Sequence, residues 1–295
     1  MREAVRGIKA PALALPVRAE TWHRGGPPPE PDAMAASPLS PLHELWCSRD
    51  LLVTLTLREV RARYKGSWLG FLWALLNPLL MMAVYTVVFA HVMRVQVPHY
   101  TAFLLAGLLP WAWFSAGVAA AAASITGNAA LVRKVRFPHE VLPLVAIATH
   151  GIQLLLALPV LLGLLAWHGL WPGLALAWLP VVMGVQFLLA WGLGLLLATA
   201  NAYFRDVEQL LGPLLMAWFY LTPIVYPAGF LPPGYRAWLG WNPLTAVFTS
   251  YQGLFLEGRA PALAALATSA AVGLALTGGG WVVLRARRLR FAEVV

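Results

Sequence analysis

Charge is what this sequence has least of: Asp, Glu, Lys and Arg make up 11% of its 295 residues, while 60% are hydrophobic and mean hydropathy is +0.71. A chain this apolar cannot keep its surface in water as a soluble domain. Cysteine is nearly absent as well: Cys47 stands alone, which excludes a disulfide framework and a thiolate metal site. The histidines are scattered, with no HxxxH or HExxH spacing to hold a metal. No GxxxxGK[ST] occurs, so the chain has no P-loop to cradle nucleotide phosphates. Nor does a pair of carboxylates fall inside any apolar run. Proton-coupled transport usually needs an ionisable relay at mid-depth, and a membrane transferase needs a general base. Glu140, Asp206, Glu208 and Glu257 all lie at the rims of those runs. His150 is the one ionisable group well inside, and it reads as a neutral, hydrogen-bonded core histidine. The chain offers a path and no evident source of energy, which a separate ATPase would have to supply.

What is present is long apolar runs. Charged residues are missing from Gly66 to Met93, Val95 to Val132, Val141 to Phe204, Gln209 to Tyr235 and Ala260 to Leu284, and a membrane helix needs roughly 20 apolar residues. The third run holds two passes, parted by WHGLWPG at Trp167–Gly173. The fold expected is an all-α polytopic membrane protein of six transmembrane helices near 67–93, 101–130, 141–167, 174–202, 207–226 and 260–284. Pro78, Pro110, Pro159, Pro213 and Pro223 interrupt several of them, tolerable where neighbours satisfy the freed carbonyls. Basic loops stay in the cytoplasm. With both termini inside, only Arg94, Arg236 and Arg259 of the 21 Lys and Arg face out. The pI of 10.2 is thereby explained by topology and anionic headgroups, with no nucleic acid.

Residues 1–38 are rich in Pro and Gly, a composition that cannot pack a core. The apolar stretch around Ala12–Leu15 is too short for a signal peptide, and Met34 is an alternative start. Ser40-Pro41 is a helix-start signature. An amphipathic interface helix is expected over 40–65, with Leu42, Leu45, Trp46, Leu52, Val53 and Val60 on the apolar side; a plain basic flank is the alternative. The six-span domain then occupies 67–290, with a basic cytoplasmic tail over 285–295. Between spans five and six, Asn242-Pro243 to Leu256 reads as a capped helix of about 15 residues, too short to cross. It should dip in from the outer side or lie along it, with Trp238, Trp241, Tyr251 and Phe255 at interface level.

Five ordered blocks carry a resemblance: RYKGSWLGFLWALLNPLLMMAVYTVVF (63–89), GLLPWAWF (107–114), VRKVRFPHEVLPL (132–144), NAYFRDVEQLLGPLLMAWFYLTPIVYP (201–227) and NPLTAVFTSYQGLFL (242–256). Together they resemble the permease subunit of type-2 ABC exporters for polysaccharides, the O-antigen, capsule and teichoic-acid export family. The resemblance covers about residues 40–290. It implies a homodimer in the bacterial inner membrane, joined to two copies of a separate ATPase subunit that carries ATP and Mg. The implied cargo is a glycan on undecaprenyl diphosphate. This chain itself then needs no cofactor and catalyses nothing. A type-2 permease for a drug or lipid, and a membrane-embedded glycan-processing enzyme, are the alternatives.

By similarity, the loop with Arg133, Lys134, Arg136, Phe137, Pro138 and Glu140 is the ATPase-coupling segment. Phe137 supplies an apolar knob, Pro138 stiffens it, and the cations orient it; a plain positive-inside turn explains the cations alone. Arg205 and Asp206, at the second cytoplasmic turn, read first as a local salt bridge and second as an ATPase contact. Arg58, Arg61, Arg63 and Lys65 can receive a lipid diphosphate or simply attract anionic lipid. Tyr85, Phe89, Trp111, Phe114, Trp218, Tyr220 and Tyr226 are the channel-lining candidates, since sugars present apolar ring faces and hydroxyls. For any one of them, lipid packing or interfacial anchoring is the competing role.

Overall fold

The computed structural model describes residues 48–64, 72–92, 94, 97–134 and 137–294. The 1–38 head, the Ser40-Pro41 cap, residues 67–71 of the first expected span, Lys65 and Arg136 lie outside the described residues, as does the side chain of Arg63. Among the described residues every regular element is helical. In chain order they are α1 (Arg49–Tyr64), α2 (Leu72–Tyr85) running on as a π-helix (Thr86–Val92), α3 (Tyr100–Ala122), the short α4 (Ser124–Gly127) and α5 (Ala129–Lys134), α6 (Val141–Trp167), a 3-10 turn (Gly173–Trp178) leading into α7 (Leu179–Tyr203), α8 (Asp206–Leu221), α9 (Pro233–Trp241), α10 (Pro243–Glu257) and α11 (Leu263–Val294).

Helices occupy all six segments expected to span. Four are long and apolar enough to cross a membrane: Tyr100–Ala122, Val141–Trp167, Gly173–Tyr203 and Leu263–Arg288. The first is represented by a shorter apolar helix, Leu76–Val92, and the fifth, α8, has 16 residues. Three ends differ from expectation. The second span stops at Ala122 rather than near 130, because Ser124 Oγ, Thr126 Oγ1 and Asn128 Nδ2 donate to backbone carbonyls and turn the chain. Asn201 Nδ2, from α7, reaches the Ala122 carbonyl left at that end. The fifth ends at Leu221 rather than 226, since Pro223 holds Thr222 extended at φ −106° and ψ 136°. The segment expected as a basic tail continues the last helix: α11 runs unbroken for 32 residues, about 48 Å at 1.5 Å per residue, well beyond a hydrocarbon core of about 30 Å.

α3 is the central helix, touching α2, α6, α7, α8 and α10. The tightest seam joins α7 to α11. A Cβ placed on Gly192 would lie 2.5 Å from Thr277 N, and one on Gly280 would lie 2.8 Å from Leu195 Cβ, so the two backbones meet where only hydrogen fits. Thr277 Oγ1 fastens the same seam by donating to Leu188 O at 3.1 Å.

The α10 helix begins and ends as its sequence dictates. Asn242 caps it by accepting from Leu244 N, with Pro243 following, and Gly258 closes it at φ 59°. Within the bundle Tyr251 and Phe255 are buried and pack as core, while Trp238 and Trp241 are exposed. The non-helical segment after α8 is held by side chains, with Tyr100 Oη donating to Val225 O and Gln252 Nε2 to Pro223 O.

Candidate functional site

Two ends of the bundle carry chemistry. At the basic end, α1 presents one face to the bundle through Leu51, Leu52, Leu55, Thr56, Glu59 and Val60, at helical spacing, and packs on α6. Val53, expected on that apolar side, points away and is exposed. Arg61 is exposed, and Arg58 Nη2 lies 3.5 Å from Glu59 Oε1 in an open ion pair worth about 0–1 kcal/mol. Arg58 and Glu59 roof a cavity of about 250 Å³ lined also by Ser124, Asn128, Thr149 and His150. His150 is buried and donates from Nδ1 to Ala146 O at 2.8 Å, as a core histidine should.

The expected coupling segment divides into three parts. Arg133 and Lys134 are exposed on the last turn of α5, where cations suit the negative end of the helix dipole. Phe137 and Pro138 are partly exposed. Glu140, by contrast, is 2% exposed, and its Oε1 accepts from Arg285 Nε at 2.9 Å. Stranding one charge of a buried pair costs about 3–5 kcal/mol, so this pair firmly ties the turn to α11. His139 stands edge-on to Phe137 and to the buried ring of Phe291. Burial pushes its pKa below the ordinary 6.5; Glu140 pulls it up and Arg288 pushes it down.

At the second turn, Arg205 and Asp206 are both exposed, and no ion pair joins them, which corrects the salt bridge expected there. Asp206 and Glu208 instead occupy the first turn of α8, where the helix dipole favours carboxylates. Phe204 beside them is 71% exposed, an apolar knob at the basic end that the sequence reading passed over. Its signal was an aromatic ring set directly against the charges of a short turn.

The opposite end is aromatic. All seven expected lining residues belong to one connected cluster, organised around a ring not singled out from sequence. Phe219 lies 5.8 Å from Tyr85, 5.4 Å from Trp111 and 5.1 Å from Tyr220, between ring centroids. Phe89 packs on Tyr85, and Phe114 meets Trp218 edge-on at 5.6 Å. Tyr226 Oη donates to Tyr220 O at 2.8 Å. Phe114 is buried to 1% exposure and serves as core. Trp218, Tyr220 and Tyr226 do line open space: with Tyr235, Trp238 and Trp241 they wall a cavity of about 650 Å³ whose described lining bears no charged side chain. Among the described residues no cluster of three or more His, Cys, Asp or Glu is placed to hold a metal.

Among the described residues an aromatic basin without a charged lining stands at one end and two shaped turns at the basic end. Comparison with known proteins identifies the family. The ABC-2 type transporter family matches residues 50–256. The chain is 39% identical over 256 residues to the O-antigen export system permease protein RfbA of Myxococcus xanthus, covering 86% of this chain and 98% of that one. A protein of the same name from Klebsiella pneumoniae is 34% identical over 247 residues, covering 83% and 95%. The polysialic acid transport protein KpsM of Escherichia coli is 28% identical over 203 residues, covering 65% and 76%. This chain belongs to the ABC-2 type transporter family and is a multi-pass membrane permease.

Proposed function

We propose that this chain is the permease subunit of an ATP-driven exporter that moves a lipid-linked polysaccharide, such as an O-antigen-like glycan on undecaprenyl diphosphate, across the bacterial inner membrane. The observation that carries the reading is the aromatic basin walled by Trp218, Tyr220 and Tyr226, whose described lining bears no charge. Aromatic faces bind the apolar faces of sugar rings with little dependence on which sugar passes, which is what a path for a long polymer needs. The relatives named for O-antigen export and polysialic acid transport support the same cargo class.

In this reading the helices at the six expected positions are six spans, α1 lies along the inner surface, and the basic end with both termini faces the cytoplasm. The cations Arg58 and Arg61, with Arg63 and Lys65 beside them in sequence, meet the diphosphate of the carrier. Phe137 and Phe204 dock a separate subunit that binds ATP and Mg, as the missing P-loop requires.

A second copy of the chain completes the conduit. α8 is buried only along Leu211, Leu215 and Phe219, one row of a helix, and leaves Leu210, Leu214, Met216 and Leu221 exposed. The outer face of α2 and its π-helical extension is equally bare at Leu80, Met81, Val84 and Val87. Two copies joined across these faces enclose a wider path than one bundle does.

The test is co-production with an ABC-type ATPase subunit from the same organism, purification, and hydrolysis measured with and without lipid-linked glycan in proteoliposomes. A complex of two permeases and two ATPases with glycan-stimulated hydrolysis is expected. Turnover of a lipid-linked sugar by the lone chain, or stimulation by a drug or phospholipid and not by glycan, overturns the reading.

A further inference from the structure

The pieces of the basic end are joined by side chains that reach far across the sequence. Glu140 and Arg285 pair over 145 residues. His139 stands edge-on to Phe291 at 5.8 Å, and Phe291 lies 6.1 Å from Tyr203 at the end of α7. Arg287 covers the Tyr203 ring at 5.7 Å, and Arg285 stacks over Trp281 at 5.6 Å. The last turns of α11 thus touch the first cytoplasmic turn and the end of α7 at once. A carboxylate as enclosed as Glu140 has no surface to offer another subunit; its charge is spent inside the chain.

From that anchorage one unbroken helix leads to the far end. α11 is continuous from Leu263 to Val294 with no proline inside it, and the glycine seam locks it against α7. Near its other end, Ser269 Oγ donates to Pro243 O at 2.7 Å. Pro243 begins α10 and lines the aromatic basin. Packed helices of this kind transmit displacement as units rather than deforming.

We propose that α11 is a mechanical strut. A displacement of the Phe137–Glu140 turn enters it through the Glu140–Arg285 pair and the Phe291 ring, and leaves it through the Ser269 bond to Pro243 in the wall of the aromatic basin. Glu140, Arg285 and Phe291 are then positioning residues that link ATP hydrolysis to passage of cargo, and the ATPase is met by their neighbours. The proposal rests on the reading that this turn docks an ATPase.

The experiment uses the full chain with its ATPase in the native host, its own permease gene removed, and compares Glu140→Arg, Arg285→Glu and the double reversal. Three quantities are read: ATPase co-purifying with the permease, ATP hydrolysed, and glycan reaching the cell surface. Each single reversal is expected to retain ATPase association within about twofold yet to lower export per ATP by about tenfold or more, and the double reversal to restore at least about half, the signature of a coupled pair. Normal export per ATP in the singles overturns the strut, as does a double reversal that is present in the membrane and not rescued. Loss of ATPase association in Glu140→Arg also overturns it, by placing Glu140 at the subunit contact. Failure of the unaltered chain to bind an ATPase defeats the functional reading instead.

Should the reversals not accumulate in the membrane, His139→Cys with Phe291→Cys in a Cys47→Ser chain, bridged by a short bifunctional thiol reagent, asks the same question. Removing the two rings is expected to lower export per ATP, and the bridge, which restores a link between the turn and α11, to recover at least about half of it. Export per ATP unchanged by removal of the rings, or lowered and not recovered in the bridged chain, overturns the proposal.

Discussion

Trp218 donates its indole N–H to Asn242 Oδ1 at 3.0 Å, and this bond joins the aromatic wall of α8 to the cap of α10. Asn242 spends its whole side chain there. The same oxygen accepts from Leu244 N, while Nδ2 donates to Thr222 Oγ1 at 3.0 Å and to Leu221 O at 3.4 Å. Asn242→Ala is therefore expected to lower stability by about 1–3 kcal/mol, the cost of leaving buried partners unmet, with a lower melting temperature in detergent. Asn242→Asp keeps both acceptor bonds and loses both donor bonds, so it should fall between. Equal melting of all three proteins would refute this role.

Phe137 and Phe204 are the two apolar knobs of the basic end. Replacing either by Ala is expected to reduce the ATPase that co-purifies and the hydrolysis it supports, by roughly the tenfold that about 1.4 kcal/mol of lost contact gives. Phe114→Ala, made in the core, is expected to lower stability by about 3–5 kcal/mol instead. Pull-down and thermal melting together separate the two effects.

Acid should loosen the first turn. His139 is held below its ordinary pKa by burial, so the unfolded chain takes up its proton at a higher pH than the folded one. Stability from this group is therefore unchanged above pH about 6.5 and declines as pH falls from there through the folded value, levelling off below it. Glu140, Arg285 and Arg288 face the same site and set its limits. The melting temperature of the unaltered protein, compared with His139→Gln between pH 7.5 and 5.5, checks this. The substituted protein should lose the part of the decline that His139 carries.

Trp238 and Tyr235 are exposed in the wall of the basin and little engaged by the core. Their replacement by Ala should leave melting and ATPase association alone while lowering export. A surface-glycan assay beside a pull-down decides it; lost association would assign these rings to assembly.

Much of this architecture could be read from local signals. α6 runs over Val141–Trp167, the span expected, because a charge at Glu140 and the break at His168-Gly169 mark both its ends in the sequence. α10 declared itself through Asn242-Pro243 and its length. Two of the misreadings share a cause, which is distance. Nothing near Glu140 in the sequence announces Arg285, and nothing near Ala122 announces Asn201. The helical end of α11 was missed for another reason. A cluster of arginines marks where a chain leaves the membrane, yet Arg, Leu and Ala remain good helix formers in water, so the change of solvent did not end the helix. Phe219 drew no notice beside Trp218 and Tyr220, because a cluster's centre is set by packing and not by the order of rings along one strand of text.

The seam at Gly192 and Gly280 has a consequence for anyone who alters this chain. Alanine is the customary neutral replacement, chosen because it removes a group and adds none. At these two positions it does the reverse, wedging a methyl between backbones that the sequence keeps a hydrogen's width apart. An alanine scan of this protein will therefore register signals of about 1–3 kcal/mol even where there was no side chain to remove.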